Sequence, residues 1–236
     1  MQHIVLPQGP SRRLSFFLAI EEYVAEAFGS GFFVWSVDPT VIIGRNQDLP
    51  SELDRDFCLS NGIDIIRRHS GGGCVYADRG NLMISCITRR GSVEEIFPEF
   101  LERLASFLRG LGLDAVRTER NDVTVGGRKV SGSAFFAHPR ASIVHATLLL
   151  DTDFSMMARA ITPPAEKLER HGVKSVRSRV ANLSEFGIRP DAEAIEMALC
   201  REFCDSEIIL RDDDIQKIEV IEESYRKLDF ILGKEA

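Results

Sequence analysis

The pair Gly126-Gly127 sits between "NDVTV" and "RKVSGSAFF" with no other spacer. A two-residue connection of that composition makes a tight hairpin, so its two strands run antiparallel. That argues against an all-parallel, doubly wound sheet. Other runs read the same way: "FFVWSV" and "TVIIGR" flank the turn dipeptide Asp38-Pro39, and "IDIIRR", "NLMISCIT" and "SIVHATLLLD" supply further strands. The helices come at irregular intervals. One covers residues 12 to 28 and ends at Gly29, and a second is capped by Ser51 and closes at Asn61-Gly62. The stretch from Ser92 to Gly110 places Ile96, Phe100, Leu104, Phe107 and Leu108 on one face. "MMARAI", "PAEKLERHG" and "DAEAIEMALCREFC" add helical pieces, and the tail from Asp212 reads as a helix followed by a short strand. The expected fold is therefore α+β, a mixed and largely antiparallel sheet flanked by helices. No repeat or low-complexity linker divides residues 1 to 236, which are read as a single domain.

Composition narrows the chemistry. The chain has 236 residues, 44% of them hydrophobic, and carries 36 acidic against 29 basic side chains for a net charge of -7. That balance favours neither nucleic acid nor an anionic membrane, so phosphate chemistry must use a local basic cluster. The five cysteines are odd in number and form no CxxC, which points to reduced thiols rather than a metal or disulfide framework. "MQHIVLPQGPSRRLSFF" has no apolar signal core, and no stretch approaches a membrane span, so the expected compartment is the cytoplasm.

Three segments carry candidate chemistry. In "RRHSGGGCVYADRGN", Gly71, Gly72 and Gly73 follow Arg67, Arg68, His69 and Ser70, which puts donors and positive charge beside backbone that a ligand can approach closely. In "RNDVTVGGRKVSGSAFF", strand alternation would place Lys129 and Ser131 on one face and Arg128 and Val130 on the other, with Asn121, Asp122 and Gly132 close by. A lysine among small residues suits an activated carboxyl or its phosphate. The third segment, "KLERHGVKSVRSRVANLSEF", adds Lys167, Lys174, Arg177 and Arg179.

Together with "VIIGRNQ" and "HATLLLDTD", these segments resemble the lipoate-protein ligase family of the biotin and lipoate ligase superfamily, in the same order across essentially the whole chain. The resemblance implies that family's catalytic-domain fold and a two-step reaction. Lipoate and ATP with magnesium would give lipoyl-adenylate and pyrophosphate. The acyl group would then pass to a lysine on a lipoyl carrier domain, either a 2-oxoacid dehydrogenase E2 subunit or the glycine cleavage H protein. By position, Arg68, Ser70, Gly71, Gly72, Gly73, Cys74, Val75 and Tyr76 fall in the nucleotide-binding stretch. Lys129 matches the lysine that touches both carboxyl and phosphate, with Asn121, Ser131 and Gly132 around it, and Asp122 falls where the nucleotide and its metal are bound. His145 opens the "HAT" that stands where relatives have "HGT". For the acyl tail, Trp35, Val41, Ile43, Val75 and Ala134 are expected to form an apolar slot.

The sequence departs from the family at Ala77, His69, Cys74 and Ala146. Larger relatives carry an accessory domain after the catalytic one; this chain reaches Ala236 near the catalytic domain's end, so that domain is expected to be absent and a small accessory subunit to be a partner. One alternative is an ATP-independent octanoyl or lipoyl transferase, which needs a reactive thiolate near Lys129. Another is a module that binds lipoyl-adenylate or a carrier without catalysis. A biotin ligase fits less well, because its loop is rich in arginine and ends in tryptophan.

Overall fold

The structure is a computed structural model describing residues 1–6, 12–89, 91–161 and 179–234. In chain order the strands are β1 (Gln2–Val5), β2 (Gly31–Trp35), β3 (Thr40–Ile43), β4 (Asp64–Arg67), β5 (Val75–Ala77), β6 (Asn81–Arg89), β7 (Ala115–Arg117), β8 (Asp122–Val125), β9 (Arg128–Ala137), β10 (Ala141–Leu149) and β11 (Ser206–Ile209). The helices are α1 (Leu14–Ala27), α2 (Leu49–Glu52), α3 (Arg55–Ser60), α4 (Val93–Gly110), α5 (Phe154–Ala160), α6 (Ala192–Phe203), α7 (Asp212–Arg226) and α8 (Leu228–Ile231), with a 3₁₀ turn at Leu183–Phe186. Among the described residues these strands form an eight-stranded sheet, ordered β11-β1-β2-β6-β10-β9-β8-β7, and a three-stranded sheet, ordered β4-β3-β5. No described helix is long and apolar enough to cross a membrane.

Burial on both faces explains the near-continuous apolar runs of β2, β6 and β10. On one face Phe32, Val34, Leu82, Ile84, Val144 and Leu148 pack under α4 and α6. On the other, Phe33, Trp35, Met83, Ile87 and Ile143 pack under α1. The helix α4 forms where its stripe is apolar, and Ser92 and Glu95 close a capping box that supplies two of its orphan donors with partners. A third cluster lies under the small sheet, where Val41, Ile43 and Tyr76 meet Leu49, Phe57 and Met157.

The α+β expectation holds, and so does the Gly126-Gly127 hairpin, whose two φ values of 57° and 75° are those of a primed two-residue turn. Three local expectations do not. Ser51 caps nothing: Asp54 accepts from Phe57 N and starts α3, because Pro50 and the extended Leu53 split the segment into two short helices. The tail after α7 is helix α8 rather than a strand. "FFVWSV" and "TVIIGR" enter different sheets, β2 and β3, instead of pairing with each other. The short strands β1, β7 and β11 escape a periodicity reading because each has only three or four residues. "PAEKLERHG" lies outside the described residues.

Candidate functional site

Strand β4 runs parallel to β3 on one side, and β5 returns antiparallel on the other, so residues 68 to 74 must cross over the end of β3. That crossing is the glycine loop. It lies directly on "VIIGRNQ": Arg45 N donates to Ser70 O at 2.9 Å, and a Cβ added to Gly44 would lie 2.2 Å from Gly72 O. Gly44 is therefore required by contact and Gly72 by its φ of 94°. Gly71 and Gly73 need neither explanation. Their φ values are not positive, and a Cβ on either meets nothing within 4 Å.

Arg68 holds this loop from inside. Its Nη2 donates to Gly71 O and Gly73 O, each at 2.8 Å, and its Nε donates to Ser70 Oγ at 2.9 Å. The guanidinium is 4% exposed, and burial pushes its pKa down to about 10, leaving it cationic at neutral pH. With its carbonyls turned toward Arg68, the loop leaves the N–H groups of Gly71, Gly72 and Gly73 without a partner among the described residues. Consecutive unpaired amides next to a buried cation form an anion cradle. Arg67 is also buried, and its Nη1 donates to the carbonyls of Gly44, Arg45 and Gln47. The two arginines thus build the loop, where the sequence suggested donors and positive charge offered to a ligand beside it.

Lys129 follows the hairpin on β9. A register shift between β8 and β9 pairs Thr124 with Lys129 and Val123 with Ser131, which leaves Val130 as an extra residue. The expected alternation is corrected by this bulge. Ser131 pairs with Leu148 and, like Val130, belongs to the α4 side. The amine of Lys129 lies across the opposite side, over Gly132: a Cβ on Gly132 would come within 2.4 Å of Nζ. Gly132 is what lets the lysine lie flat. Nζ pairs with Asp122 Oδ1 at 2.7 Å, and Lys129 O accepts from Ala181 N at 2.9 Å, so the stretch Arg179–Ala181 reaches the main chain of the lysine. Asn121 secures the start of β8 through Ser133 O. Lys167, Lys174 and Arg177 lie outside the described residues.

Cross-strand register relates the lysine to the loop. Gly132 pairs with Thr147, and Ala134 pairs with His145, so the histidine and the lysine amine over Gly132 occupy the α1-side face at levels two residues, or about 7 Å, apart along the strand. His145 Nε2 meets Ser70 Oγ at 2.6 Å, which ties the glycine loop onto this same face. On the far side of the ring, Nδ1 faces Glu21 Oε2 at 3.1 Å. The other Glu21 oxygen accepts from Ser85 Oγ at 2.6 Å, and Ser85 accepts from Trp35 Nε1 at 2.9 Å. Gly44 lies within "VIIGRNQ" and Ser85 within "NLMISCIT", but neither residue is singled out there, and Glu21 reads as one more polar position in a helix.

The expected slot divides. Trp35 and Val75 pack on the α1 side and Ala134 shares that face, whereas Val41 and Ile43 lie under the small sheet with Tyr76 and Cys74. Half-buried Ala134 and Phe136 instead lead from Lys129 to a cleft of about 780 Å³ between His69, Gln47 and Phe136 on one side and Phe230 and Leu232 on the other. Burial pushes Cys74, Cys86 and Cys200 up to about 12 and Cys204 up to about 11, and raises Cys58 as well. None of the five is a ready thiolate. Among the described residues no three His, Cys, Asp or Glu side chains gather as a metal cage.

Comparison with known proteins identifies the family and the fold. Residues 14–204 match the family model described as the lipoyl protein ligase A/B catalytic domain. Lipoate-protein ligase LplJ of Bacillus subtilis is 41% identical over 173 residues, covering 72% of this chain and 52% of its own. The bi-partite lipoate protein ligase of Thermoplasma acidophilum, solved in a study with its E2 lipoyl domain, superposes with a TM-score of 0.86 at 28% identity, covering 98% of this chain and 96% of that one. A lipoate-protein ligase A bound with ATP gives a TM-score of 0.85 at 26% identity, with 98% of each chain covered. The chain spans about half the length of the first curated relatives it matches. With the match covering most of its residues and the loop, the lysine and the sheet in the places described, the chain belongs to the lipoyl protein ligase A/B catalytic-domain family.

Proposed function

We propose that the chain activates lipoate with ATP to lipoyl-adenylate and passes the lipoyl group to a lysine of a lipoyl carrier domain. The observation that carries this reading is that the loop with the unpaired Gly71–Gly73 amides is tied by Ser70 to His145, on the sheet face that also holds the Lys129 amine. The lipoate carboxylate attacks the α-phosphorus of ATP, the bond to the β-phosphate oxygen breaks, and pyrophosphate leaves. Negative charge grows on the α-phosphoryl oxygens during that step. Lys129 and the loop amides are fixed donors that stabilise it more than they stabilise the ground state. The carrier lysine then attacks the acyl carbon, and AMP leaves. The acyl tail runs along Ala134 and Phe136 toward the cleft. Asp122 would hold magnesium as a single carboxylate ligand beside the triphosphate, and the metal would supply neutralisation of phosphate charge.

On this reading the protein works in the cytoplasm as one catalytic domain, with an E2 subunit or H protein as acceptor and a small accessory subunit as helper. Lipoate-dependent exchange of pyrophosphate into ATP tests the first step, and carrier modification from supplied lipoyl-adenylate tests the second. Exchange supports the full ligase; modification from adenylate alone supports a partner-dependent enzyme. Absence of both, with or without the accessory subunit, overturns the proposal. The thioester-forming transferase is disfavoured by the raised thiols, since Cys74 packs under the small sheet and Cys86 under α4.

A further inference from the structure

The polar chain through the α1-side face has a direction. Trp35 Nε1–H is only a donor, so Ser85 accepts from it and donates to Glu21 Oε1. Arg68 Nε–H is likewise only a donor, so Ser70 accepts from it and directs its own hydrogen to His145 Nε2. Nδ1–H of His145 then points at Glu21 Oε2. Both branches converge on one carboxylate that is 2% exposed, and the hydroxyls of Ser70 and Ser85 and both ring nitrogens of His145 have partners along this path. The order serine, histidine, carboxylate is also that of a nucleophile, its base and an orienting acid. Here Ser70 is 2% exposed and its oxygen is held by Arg68, so the arrangement serves to hold the loop.

We propose that Glu21 is a positioning residue: by fixing the tautomer of His145 it makes Nε2 the acceptor for Ser70, and so holds the glycine loop over the reaction site. This rests on the ligase reading for its kinetic consequence but not for its structural one. Glu21→Gln keeps the shape and removes one acceptor. One branch must then reverse. Trp35 cannot reverse and Ser85 is fully buried, so the histidine flips, Nε2–H faces Ser70, and the serine hydrogen loses its partner. Supporting groups of this kind change activity by roughly tenfold or more when removed.

The test combines nitrogen-15 NMR of the imidazole, amide hydrogen exchange at residues 71 to 73, and pyrophosphate exchange, on the wild-type chain, Glu21→Gln, Ser70→Ala and the double variant. Expected in the wild type is Nδ1–H with an unprotonated Nε2; in Glu21→Gln the proton moves to Nε2 and the loop amides exchange faster. Exchange activity falls roughly tenfold in each single variant and no further in the double, because both changes break one path. An Nε2–H wild type, unaltered loop exchange in Glu21→Gln, or losses that simply add overturns the proposal. If Glu21→Gln does not fold, Ser70→Ala alone decides: retained Nδ1–H with faster loop exchange supports it, and unchanged loop exchange refutes it. If the wild type shows neither pyrophosphate exchange nor carrier modification from supplied lipoyl-adenylate, with or without the accessory subunit, the ligase reading fails while the tautomer and loop measurements still judge the positioning role.

Discussion

Glycine runs occur at two places near the site, and they differ in what requires them. At Gly126 and Gly127 both φ values are positive, so the turn by itself demands the residues. At Gly71 to Gly73 only the middle residue has a positive φ, and its neighbours face open space. The hairpin's glycines are explained by the chain; Gly71 and Gly73 are required by neither φ nor contact within it. On the ligase reading proposed above, the hairpin would act through a side chain it delivers, Lys129, whereas the loop would act through its own main chain. A glycine count could not separate these cases, but φ and local clearance do.

The largest expected effect tests the delivered side chain. Lys129→Ala is expected to lower lipoate-dependent pyrophosphate exchange by roughly 100-fold or more, with far-UV circular dichroism unchanged. A loss below tenfold would remove the lysine from the charge-stabilising role. Next comes the contrast itself. Gly73→Val is expected to weaken ATP and lipoate binding by roughly tenfold or more, about 1.4 kcal/mol, with little change in melting temperature. Gly127→Val should do the reverse, costing about 1–2 kcal/mol of stability, or roughly 2–8 °C of melting temperature, with binding near normal. Matched calorimetry and titration of the two variants would erase the distinction if both lost stability alike. Gly72→Val is the poorer probe, since its φ of 94° mixes strain with blocked space.

A smaller effect concerns the thiol beside the loop. With its pKa pushed up to about 12 by burial, Cys74 should react slowly with iodoacetamide at pH 8, and Cys74→Ala should keep exchange activity within about twofold. Rapid labelling with parallel loss of activity would revive the thioester alternative. The smallest expected effect is on the acid side. Burial works to raise the Glu22 carboxyl, but hydrogen bonds from His69, at 2.8 Å, and Tyr225 outweigh it and hold the pKa below its ordinary value. A lowered folded pKa adds stability above the ordinary carboxylate range, and that stability is lost as pH falls through the lowered value. Tyr225→Phe should therefore flatten the fall in melting temperature below about pH 4.3, whereas Glu185→Gln, which breaks the exposed Arg128–Glu185 pair at the hairpin, should alter it less. Equal slopes in the two variants would contradict this.

What could be read beforehand was whatever has a local cause. The α4 stripe, the glycine hairpin and the β10 run each follow from periodicity or turn chemistry within a few residues. The loop, Lys129 and His145 were also legible, as motifs, and cross-strand register sets them on one face. Ser131 was misplaced because a bulge depends on the partner strand, which alternation within one strand does not reveal. Arg67 and Arg68 read as charge and donors beside the loop for a ligand, not as its scaffold; their partners are mostly carbonyls, up to 164 positions away in sequence, and only the folded chain brings those together. Glu21 gave no signal for the same reason: its meaning comes from Ser85 and His145, 64 and 124 residues later.

The contact of Gly44 with the underside of Gly72 has a consequence for how ligand preference can change in this scaffold. With 2.2 Å between an added Cβ and a carbonyl oxygen, the floor beneath the loop has no slack, so a bulkier ligand cannot be admitted by lowering it. Room must come instead from the opposite wall, where half-buried Ala134 and Phe136 line β9. If the proposed ligase reading holds, tailoring this protein to a longer or wider acid is thus a matter of repainting one strand while leaving the crossing loop and its glycine support untouched.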